Sequence, residues 1–322
     1  MKKLSLVLLV ILIIGVGLAM AGWAMGGPHG LWLDRHGLHL SGGERGDLVK
    51  VDETLAGFTN VDVRADFFDH ITVKEGDAYT VRGARYERYG PIDVRLDGDT
   101  LKVTAVHDRR WIDFAVDDFW NHNSYLEITY PKGVKLGSAA VELSAGKLNV
   151  NGIECETLTV DDDFGDVDIS NVSAKSLRAK LNAGDLKVRN VRADKLNVTN
   201  DFGKVTLDDA VSDDIVMKLN SGDMRGSGVS AGNLIVDNDF GKVVFDSLVF
   251  TGHCDIEANS GNVDLRLNMN KDDVSYELNV SAGSINVDGS KYGGSVSSRV
   301  AGAAANLRVG NDFGSISVDF RG

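Results

Sequence analysis

Apolar and polar residues alternate with a period of two through the second half of the chain, and the alternation restarts at a glycine about every 19 residues. The second and fourth residues after a glycine are apolar, as are Val205 and Leu207 after Gly203, and the residues between them are mostly polar. Another apolar pair lies seven and five positions before the same glycine, at Leu196 and Val198. Each unit therefore predicts two strands that bury one face and expose the other.

The glycines that mark these units form a regular series. The first six are evenly spaced, and three more follow at longer intervals: Gly146, Gly165, Gly184, Gly203, Gly222, Gly241, Gly261, Gly283 and Gly314. A fixed period of this size is typical of solenoids, in which each unit buries its apolar face against its neighbours. The sequence thus predicts an all-β stack over residues 137–322.

Two kinds of unit alternate along the series. In one kind the glycine ends an Asp-Phe-Gly triplet, which supplies Phe164, Phe202, Phe240 and Phe313. In the other kind Ala or Ser precedes the glycine. Where Phe is present, the residue two positions earlier is polar, and where Phe is absent that residue is aliphatic or, at Ala258, small.

This complementarity predicts that one volume of the core is filled from either of two positions, with Phe buried at a corner. It also suggests that two units make one coil of about 38 residues, so that Phe stacks on Phe along one edge. A coil of about 19 residues fits the same pattern. Both alternatives are compatible with the spacing of the glycines.

Asp-Phe-Gly is also the metal-binding triplet of protein kinases. Four copies without a catalytic-loop signature, a strand lysine motif or a glycine-rich nucleotide loop argue against that interpretation. A structural role is favoured, in which Asp caps a turn and Gly takes a positive φ. Asp163, Asp201 and Asp239 offer oxygen ligands for calcium, but the nonapeptide calcium repeat is absent. We therefore expect no metal, no cofactor and no catalytic residue.

The amino terminus predicts the cellular location. Lys2 and Lys3 precede an apolar run over residues 4–25 that only Ser5 interrupts. This run is long enough to cross a hydrocarbon core, which needs about 20 residues. The lysines place the start in the cytoplasm, so residues 1–25 are expected to be a signal anchor in the cytoplasmic membrane. The alternative is secretion after cleavage near Ala21, because Ala19-Met20-Ala21 has the small-x-small form.

Two regions lie between this run and the repeats. Residues 26–48 are rich in Gly and His and are interpreted as a juxtamembrane tether, since no acidic or thiol partner has zinc-ligand spacing. Residues 49–136 are strand-like. Because solenoids need atypical end units, we expect this region to cap the stack.

Only the insertion at residues 107–125 departs from the strand pattern. It contains Arg109, Arg110, Trp111, Phe119 and Trp120. Aromatic residues beside arginine are typical of interface anchors, and aromatic rings also bind sugars. The other interpretation is a short capping helix, with Trp111, Ile112, Ala115 and Phe119 on one face.

The net charge restricts the classes of partner, and the positions of the two cysteines argue against a disulfide. A net charge of −13 disfavours nucleic acid and anionic lipid, both of which need basic surface. Cys155 and Cys254 lie several repeats apart, beyond disulfide reach. Cys254 takes the position that leucine holds in other units, so it is expected to be a small buried hydrophobic residue.

Four features together resemble the bacterial toastrack putative-adhesin family. They are the anchor-like start, the Asp-Gly-Asp-Thr-Leu turn at 97–101, Tyr130-Pro131-Lys132-Gly133, and the Ser/Ala-Gly-x-aliphatic units. The likeness extends from about Val49 to the carboxyl terminus. It implies a right-handed parallel β-helix or related β-solenoid, and an envelope protein of the kind often linked with envelope-stress or phage-shock-like systems. The family has no defined catalytic residues to carry over.

Two classes of function remain. The first is a non-catalytic extracytoplasmic module for scaffolding, adhesion or envelope-stress sensing, with an envelope protein or a cell-wall glycan as partner. The alternative is a polysaccharide-acting β-helix enzyme of the lyase or glycosidase type. Such an enzyme needs converging carboxylates, or calcium beside a basic residue. The charged residues here follow the repeat without an irregular cluster, which favours the module.

We expect residues 4–25 to be retained, with Gly322 outside the cytoplasmic membrane. Mass spectrometry of the mature amino terminus, together with fractionation of cells, checks both points. A protein that begins at Gly22 and is released from membranes would show that the leader is cleaved.

Overall fold

A computed structural model describes residues 47–106 and 123–322, together with the backbone of three short strands at Gly30–Asp34, Gly37–Ser41 and Asp113–Ala115. The predicted anchor at 1–25 and most of the predicted tether lie outside the described residues. Within the described part of the chain, no helix is long and apolar enough to span a membrane.

The described chain is almost entirely strand. The first nine strands are β1 (Gly30–Asp34), β2 (Gly37–Ser41), β3 (Leu48–Thr54), β4 (Asn60–Gly76), β5 (Thr80–Tyr86), β6 (Asp93–Asp97), β7 (Thr100–Ala105), β8 (Asp113–Ala115) and β9 (Tyr125–Pro131). The long central strands are β10 (Leu136–Asn151), β11 (Glu154–Ala183), β12 (Leu186–Phe202), β13 (Val205–Ser221) and β14 (Met224–Phe240).

The remaining strands are shorter. They are β15 (Val243–Phe250), β16 (His253–Ser260), β17 (Val263–Leu267), β18 (Val274–Ala282), β19 (Ile285–Val287), β20 (Ser290–Tyr292), β21 (Ser295–Ser298), β22 (Ala305–Phe313) and β23 (Ile316–Phe320). Two 3-10 turns lie at Glu87–Tyr89 and Lys271–Asp273.

Successive units pair side by side as parallel strands. Leu186 of β12 lies opposite Val167 of β11 on one side and Val205 of β13 on the other, so each step along the stack advances the chain by one unit of the repeat. One unit of the repeat therefore separates neighbouring strands, and each such step is one rung of the stack. Strands β3–β7, β9 and β10–β23 form a single 20-stranded sheet.

The amino-terminal end of the stack combines a rung with antiparallel strands. Strand β4 pairs in parallel with β10, with Val63 opposite Val141, so rung-like pairing begins before residue 137. On its other side β4 pairs in parallel with β7 and then with β9. Strands β3, β5 and β6 pair antiparallel to their neighbours. Parallel pairing thus gives way to antiparallel pairing at this end of the sheet, and the capping role stays a prediction.

A separate sheet of three strands contains residues from the predicted tether and the predicted insertion. Strand β1 pairs antiparallel with both β2 and β8. Because β8 is a strand, the capping-helix interpretation is wrong for Asp113–Ala115.

The chain changes its order at the carboxyl-terminal end. Strand β22 pairs with β16 on one side and with β18 on the other. The unit around Gly314 therefore lies between those of Gly261 and Gly283, although it comes last in sequence. Strands β18–β21 form the outer rung, and the long interval between Gly283 and Gly314 spans this excursion and the return of the chain.

The core is one continuous column of buried side chains that runs through the rungs from Phe58 to Val318. The predicted inward positions are confirmed: Val205 and Leu207 are fully buried, as are their equivalents in neighbouring rungs. Cys254 lies opposite Leu234 and is buried, and both cysteines are free, so the predictions for them are also confirmed.

The predicted burial of the phenylalanines is wrong. Phe164, Phe202, Phe240 and Phe313 expose between 61% and 66% of their surface. The predicted stacking of Phe on Phe is also wrong, because Phe202 lies opposite Ala183 and Ser221.

The inward volume is instead filled from one position, two residues before Phe, Ala or Ser. In four successive rungs this inward slot holds Leu181, Asn200, Leu219 and Asn238. Buried Asn and Asp side chains therefore alternate with aliphatic ones along the stack. Both kinds of unit therefore fill the core from the same inward slot and differ only in the side chain that occupies it.

Glycine is required at the corner by a close approach between rungs. A Cβ atom on Gly203 would lie 2.0 Å from the carbonyl oxygen of Gly184, and φ of Gly203 is 131°. On Gly241 it would lie 2.1 Å from the oxygen of Gly222. No L side chain fits such a position, which explains why glycine returns with each unit.

The inward slot also buries polar groups. Asn200 and Asn311 each donate an amide hydrogen bond to the glycine carbonyl of an adjacent rung, Gly184 O at 3.1 Å and Gly261 O at 2.9 Å. Asp162 occupies the same slot, and neither of its carboxylate oxygens has a hydrogen-bond partner among the described residues. Burial, and then the nearby Asp163, Asp166 and Asp161, raise the pKa of Asp162 from 3.8 to about 7.

We expect Gly203→Ala to destabilise the protein by about 3 kcal/mol or more, because a strained backbone and an overpacked contact each cost roughly 1–3 kcal/mol. Gly293 is the matched control, since its φ is not in the left-handed region and a Cβ there would meet open space. Urea denaturation of the two variants gives the comparison. Equal midpoints would contradict the close-approach argument.

Asp162 should make stability depend on pH. Because its pKa is higher in the folded state, the folded protein binds more protons between about pH 4 and pH 7. Stability from this group is therefore lost as the pH rises through that window and stays lost above it. Asp162→Asn should raise the free energy of unfolding at pH 8 by a few kcal/mol and remove this slope.

Asn200→Asp supplies the reverse test in the equivalent slot. An ionised carboxylate there cannot donate to Gly184 O, so we expect lower stability at pH 8 and recovery at pH 4. Thermal unfolding of both variants at the two pH values is the measurement. Parallel pH profiles for the wild type and Asp162→Asn would show that Asp162 is not the titrating group.

Candidate functional site

The exposed phenylalanines form a column along one corner of the stack. The strand register places Phe164, Phe202, Phe240 and Phe313 at the same position in alternate rungs, with Ala183, Ser221 and Ser260 between them. Because neighbouring strands are about 4.8 Å apart, successive rings are separated by about 9.6 Å. We call these four residues the aromatic column.

Phe67 continues the column at its amino-terminal end. It lies opposite Ala145, which in turn lies opposite Phe164. Phe67 is less exposed than the other four, at 37%, and its ring lies 6.3 Å from that of Tyr89. The column therefore ends where the antiparallel strands begin.

The local sequence explains why the rings point outward. Residues two apart on a regular strand face the same side, so Phe202 would follow Asn200 into the core. The strand is not regular here, because Asn200 and Phe202 have Cα partners in β13 whereas Asp201 between them has none. The chain turns a corner at this point and enters the positive φ of Gly203. Asn200 stays inside and Phe202 is left in solvent.

A polar column lies directly beside the aromatic one. It contains the residue before each Phe, Ala or Ser, so carboxylates alternate with amides or hydroxyls. Asn182 donates to Asp163 Oδ1 at 2.6 Å, Asn220 donates to Asp201 Oδ1 at 2.7 Å, and Asn259 donates to Asp239. These bonds between rungs hold the carboxylates in a regular row.

Charged residues also lie on the other side, just after the corner glycines. Lys204 and Lys242 follow the glycines of two Phe rungs and are exposed. Their backbone N–H groups donate to Asp185 and Asp223, each at 2.9 Å. Within the described chain neither ammonium group forms an ion pair, so both are available as hydrogen-bond donors.

The described residues hold no group of three or more His, Cys, Asp or Glu side chains placed to bind a metal ion. Burial, the largest cause, raises the pKa of the Cys155 thiol to about 12 and also raises that of Cys254. A thiol that stays protonated at neutral pH is a poor nucleophile. The arrangement as a whole suits binding, because it presents apolar rings between two rows of polar groups.

An open groove lies at a different corner of the stack, lined by small and polar residues that include Ala193, Ser212 and Ala231. Ser212 Oγ shares its single hydrogen between the carbonyl oxygens of Asp194 and Asp214, at 3.1 and 2.9 Å. Its hydroxyl is therefore engaged by the backbone.

A buried cation lies near the amino-terminal end of the column. The guanidinium carbon of Arg85 is 5.3 Å from the ring centre of Phe68 and 5.7 Å from that of Tyr89. Burial lowers the pKa of Arg85, and the nearby Asp66 opposes this shift. These contacts hold Phe68 and Tyr89 by cation–π attraction, and Tyr89 in turn lies against Phe67.

The predicted interaction residues Arg109, Arg110, Trp111, Phe119 and Trp120 lie outside the described residues, and their role stays a prediction. The strands that flank them are described. Strand β7 ends with Ala105 opposite Ala65, and β9 begins with Tyr125 opposite His70. The insertion therefore leaves and rejoins the stack on either side of the corner that carries Phe67.

Sequence reasoning assigned the Phe residues to the core and so missed the column as a surface. One signal could have revealed it. The polar residue two positions before each Phe continues the series of inward-facing residues, as Asn200 continues Leu196 and Val198. The inward slot was therefore already occupied without Phe.

The model of a family described as Toastrack DUF4097 matches residues 60–318, which is more than half of the chain. No curated protein matches the chain.

Solved structures that match the chain include three proteins from Bacteroides and Parabacteroides species. A putative adhesin from Bacteroides fragilis is 13% identical, with a TM-score of 0.45, over 84% of this chain and 97% of its own. A putative adhesin from Parabacteroides distasonis is 12% identical, with a TM-score of 0.47, over 85% and 97%. A putative lipid binding protein from the same species is 12% identical, with a TM-score of 0.44, over 85% and 97%.

We expect Phe202→Ala to change the free energy of unfolding by about 1 kcal/mol or less, because exposed side chains contribute little to stability. Leu219→Ala, in the inward slot of the next rung, should cost about 2–5 kcal/mol. Chemical denaturation of both variants distinguishes a surface column from a buried one. A loss for Phe202→Ala as large as that for Leu219→Ala would refute the exposed placement.

Proposed function

Because the chain belongs to the Toastrack DUF4097 family, we propose that it is a non-catalytic extracytoplasmic module that binds a component of the bacterial cell envelope through the aromatic column. The observation that carries this proposal is the exposure of four phenylalanines at one repeated position. Exposed apolar residues on an ordinary surface are scattered singly, so four phenylalanines that line up along one corner indicate an interaction surface.

The repeat contains its own control for this argument. The rungs that carry Ala183, Ser221 or Ser260 pair with their neighbours in the same register as the Phe rungs. The stack therefore forms with a small residue at this position, and the fold does not require Phe there. Solvent-exposed Phe is unfavourable for solubility, so its return in every second rung supports a binding role.

The charge of the molecule supports the same choice of partner. Its net charge of −13 and the row of Asp side chains beside the rings disfavour nucleic acid. The even spacing of these carboxylates differs from the single close pair that glycosidases use. A repeated surface of this kind suits an extended or polymeric ligand better than a reaction centre.

The proposed location rests on the amino-terminal sequence. Residues 1–25 would anchor the body on the outer side of the cytoplasmic membrane, or would direct secretion if cleaved near Ala21. In either case the stack would meet envelope components in the extracytoplasmic space. Scaffolding, adhesion and envelope-stress sensing all follow from such binding.

Cosedimentation with envelope fragments tests the function. The full chain in detergent micelles is mixed with fragments from the bacterium that carries it. A variant with Ser in place of all four residues of the aromatic column should bind at least about tenfold more weakly, since each buried Phe contributes roughly 1.5–3 kcal/mol. Its melting temperature should stay close to that of the wild type.

A matched control removes apolar surface elsewhere. Val211 and Ile235 are exposed at 43% and 46% and lie away from the column, so Val211→Ser with Ile235→Ser should leave binding unchanged. If the fourfold variant binds as the wild type does, or if both variants lose binding equally, the column is not the binding surface.

A further inference from the structure

We propose that the ligand of the aromatic column is an extended, uncharged β-linked polysaccharide, which lies along the stack with one disaccharide unit for each phenylalanine. This inference rests on the proposed function, because it names the class of ligand for the same surface. Three properties of the column support it: its spacing, its alternation and its polar borders.

The spacing of the rings fits a polymer whose unit is two sugars long. Successive Phe side chains lie two rungs apart, or about 9.6 Å. A disaccharide in an extended β-1,4-linked chain has nearly this length. The polymer and the protein would therefore stay in register along all four rings of the column without bending.

The alternation of large and small residues fits the shape of such a chain. In a β-1,4-linked polymer each sugar is turned over relative to its neighbours, so every second ring presents the same face to one side. The apolar face of one sugar would stack on a Phe ring. The next sugar would lie over Ala183, Ser221 or Ser260, where the surface is lower.

The polar borders supply hydrogen bonds at the same period. On one side the carboxylates of Asp163, Asp201 and Asp239 alternate with the amides that bind them. On the other side Lys204 and Lys242 follow the corner glycines. Sugar hydroxyl groups both donate and accept, so they match a surface that offers carboxylates, amides and ammonium groups together.

Other occupants fit these observations less well. The row of carboxylates and the net charge of −13 oppose an anionic membrane surface. The rings are isolated platforms, whereas acyl chains need a continuous apolar face. A second copy would bring a like-charged row of carboxylates towards the first, which costs energy.

Calorimetric titration with defined oligosaccharides tests the inference. The probes are β-1,4-linked N-acetylglucosamine oligomers of two, four, six and eight rings, added to the full chain in micelles. Each added disaccharide should lower the Kd by about threefold to tenfold, the range expected for one more stacked ring. Starch-type α-1,4-linked glucose oligomers of equal length, whose chains coil, should bind much more weakly.

A register variant separates spacing from mere aromatic content. Ala183→Phe combined with Phe202→Ala keeps four rings but moves one of them by a single rung. Three rings stay in register with the polymer, so we expect its affinity for the eight-ring oligomer to fall to about that of the wild type for the six-ring oligomer. Its melting temperature shows whether the stack is intact, and Ser221→Phe with Phe240→Ala is a second version of the same change.

The outcomes distinguish the two levels of proposal. Affinity that grows with length and falls in the register variants supports the polysaccharide. Absent binding, length-independent binding or unchanged affinity in the register variants overturns it. If envelope binding still depends on the four Phe residues while no oligomer binds or competes, the ligand class is wrong and the proposed function stands.

Two further measurements would identify the ligand of the column if it is not a polysaccharide. A molar mass by light scattering that doubles for the wild type, and not for the fourfold Ser variant, would show that the column binds a second copy. Column-dependent cosedimentation with phosphatidylcholine vesicles would show that it binds lipid. Either result overturns the polysaccharide proposal.

Discussion

The close approach between corner glycines is the constraint on which the rest of the stack depends. The carbonyl oxygen of one corner glycine occupies the space that a side chain on the next would need, as with Gly184 and Gly203. Rungs can therefore stack only if glycine returns at the same place in each unit. Phe68 shows the limit of this rule, because it takes the glycine position opposite Gly146 in β4. The strands on the far side of β4 stop at this corner, with β7 ending at Ala105 and β9 starting at Tyr125.

The corner also links the composition of the core to that of the surface. Where the inward slot holds Asn or Asp, the residue two positions later is a solvent-exposed Phe, and where the slot holds Leu, that residue is small. One polar side chain inside thus accompanies each of the four rings of the aromatic column outside. The buried amides of Asn200 and Asn311 donate to glycine carbonyls, which ties these two side chains to the same corner. Asp162 has no such bond, and burial, followed by the nearby Asp163, Asp166 and Asp161, raises the pKa of its carboxyl group.

Much of the fold could be predicted from the sequence, because it is encoded locally. The regular return of glycine, the inward positions such as Val205 and Leu207, and the burial of Cys254 all follow from period-two alternation within each unit. The placement of Phe202 could not be obtained in this way, since the alternation rule fails where the chain turns a corner. The position of β22 between β16 and β18 also lay beyond sequence reasoning. This is a pairing between strands far apart in sequence, and the irregular intervals from Gly261 to Gly283 and from Gly283 to Gly314 do not specify it.

The alternation of two rung types has a consequence for how such a chain can change its length during evolution. A duplication or deletion of two consecutive units between Gly146 and Gly241 leaves every Phe rung next to a small-residue rung. A change of one unit instead places two like rungs together, with either adjacent Phe rings or adjacent aliphatic slots. The gene can therefore grow or shrink in pairs of units while the ends stay intact. The length of the aromatic column would therefore change in fixed steps of two rungs, with one Phe gained or lost in each step.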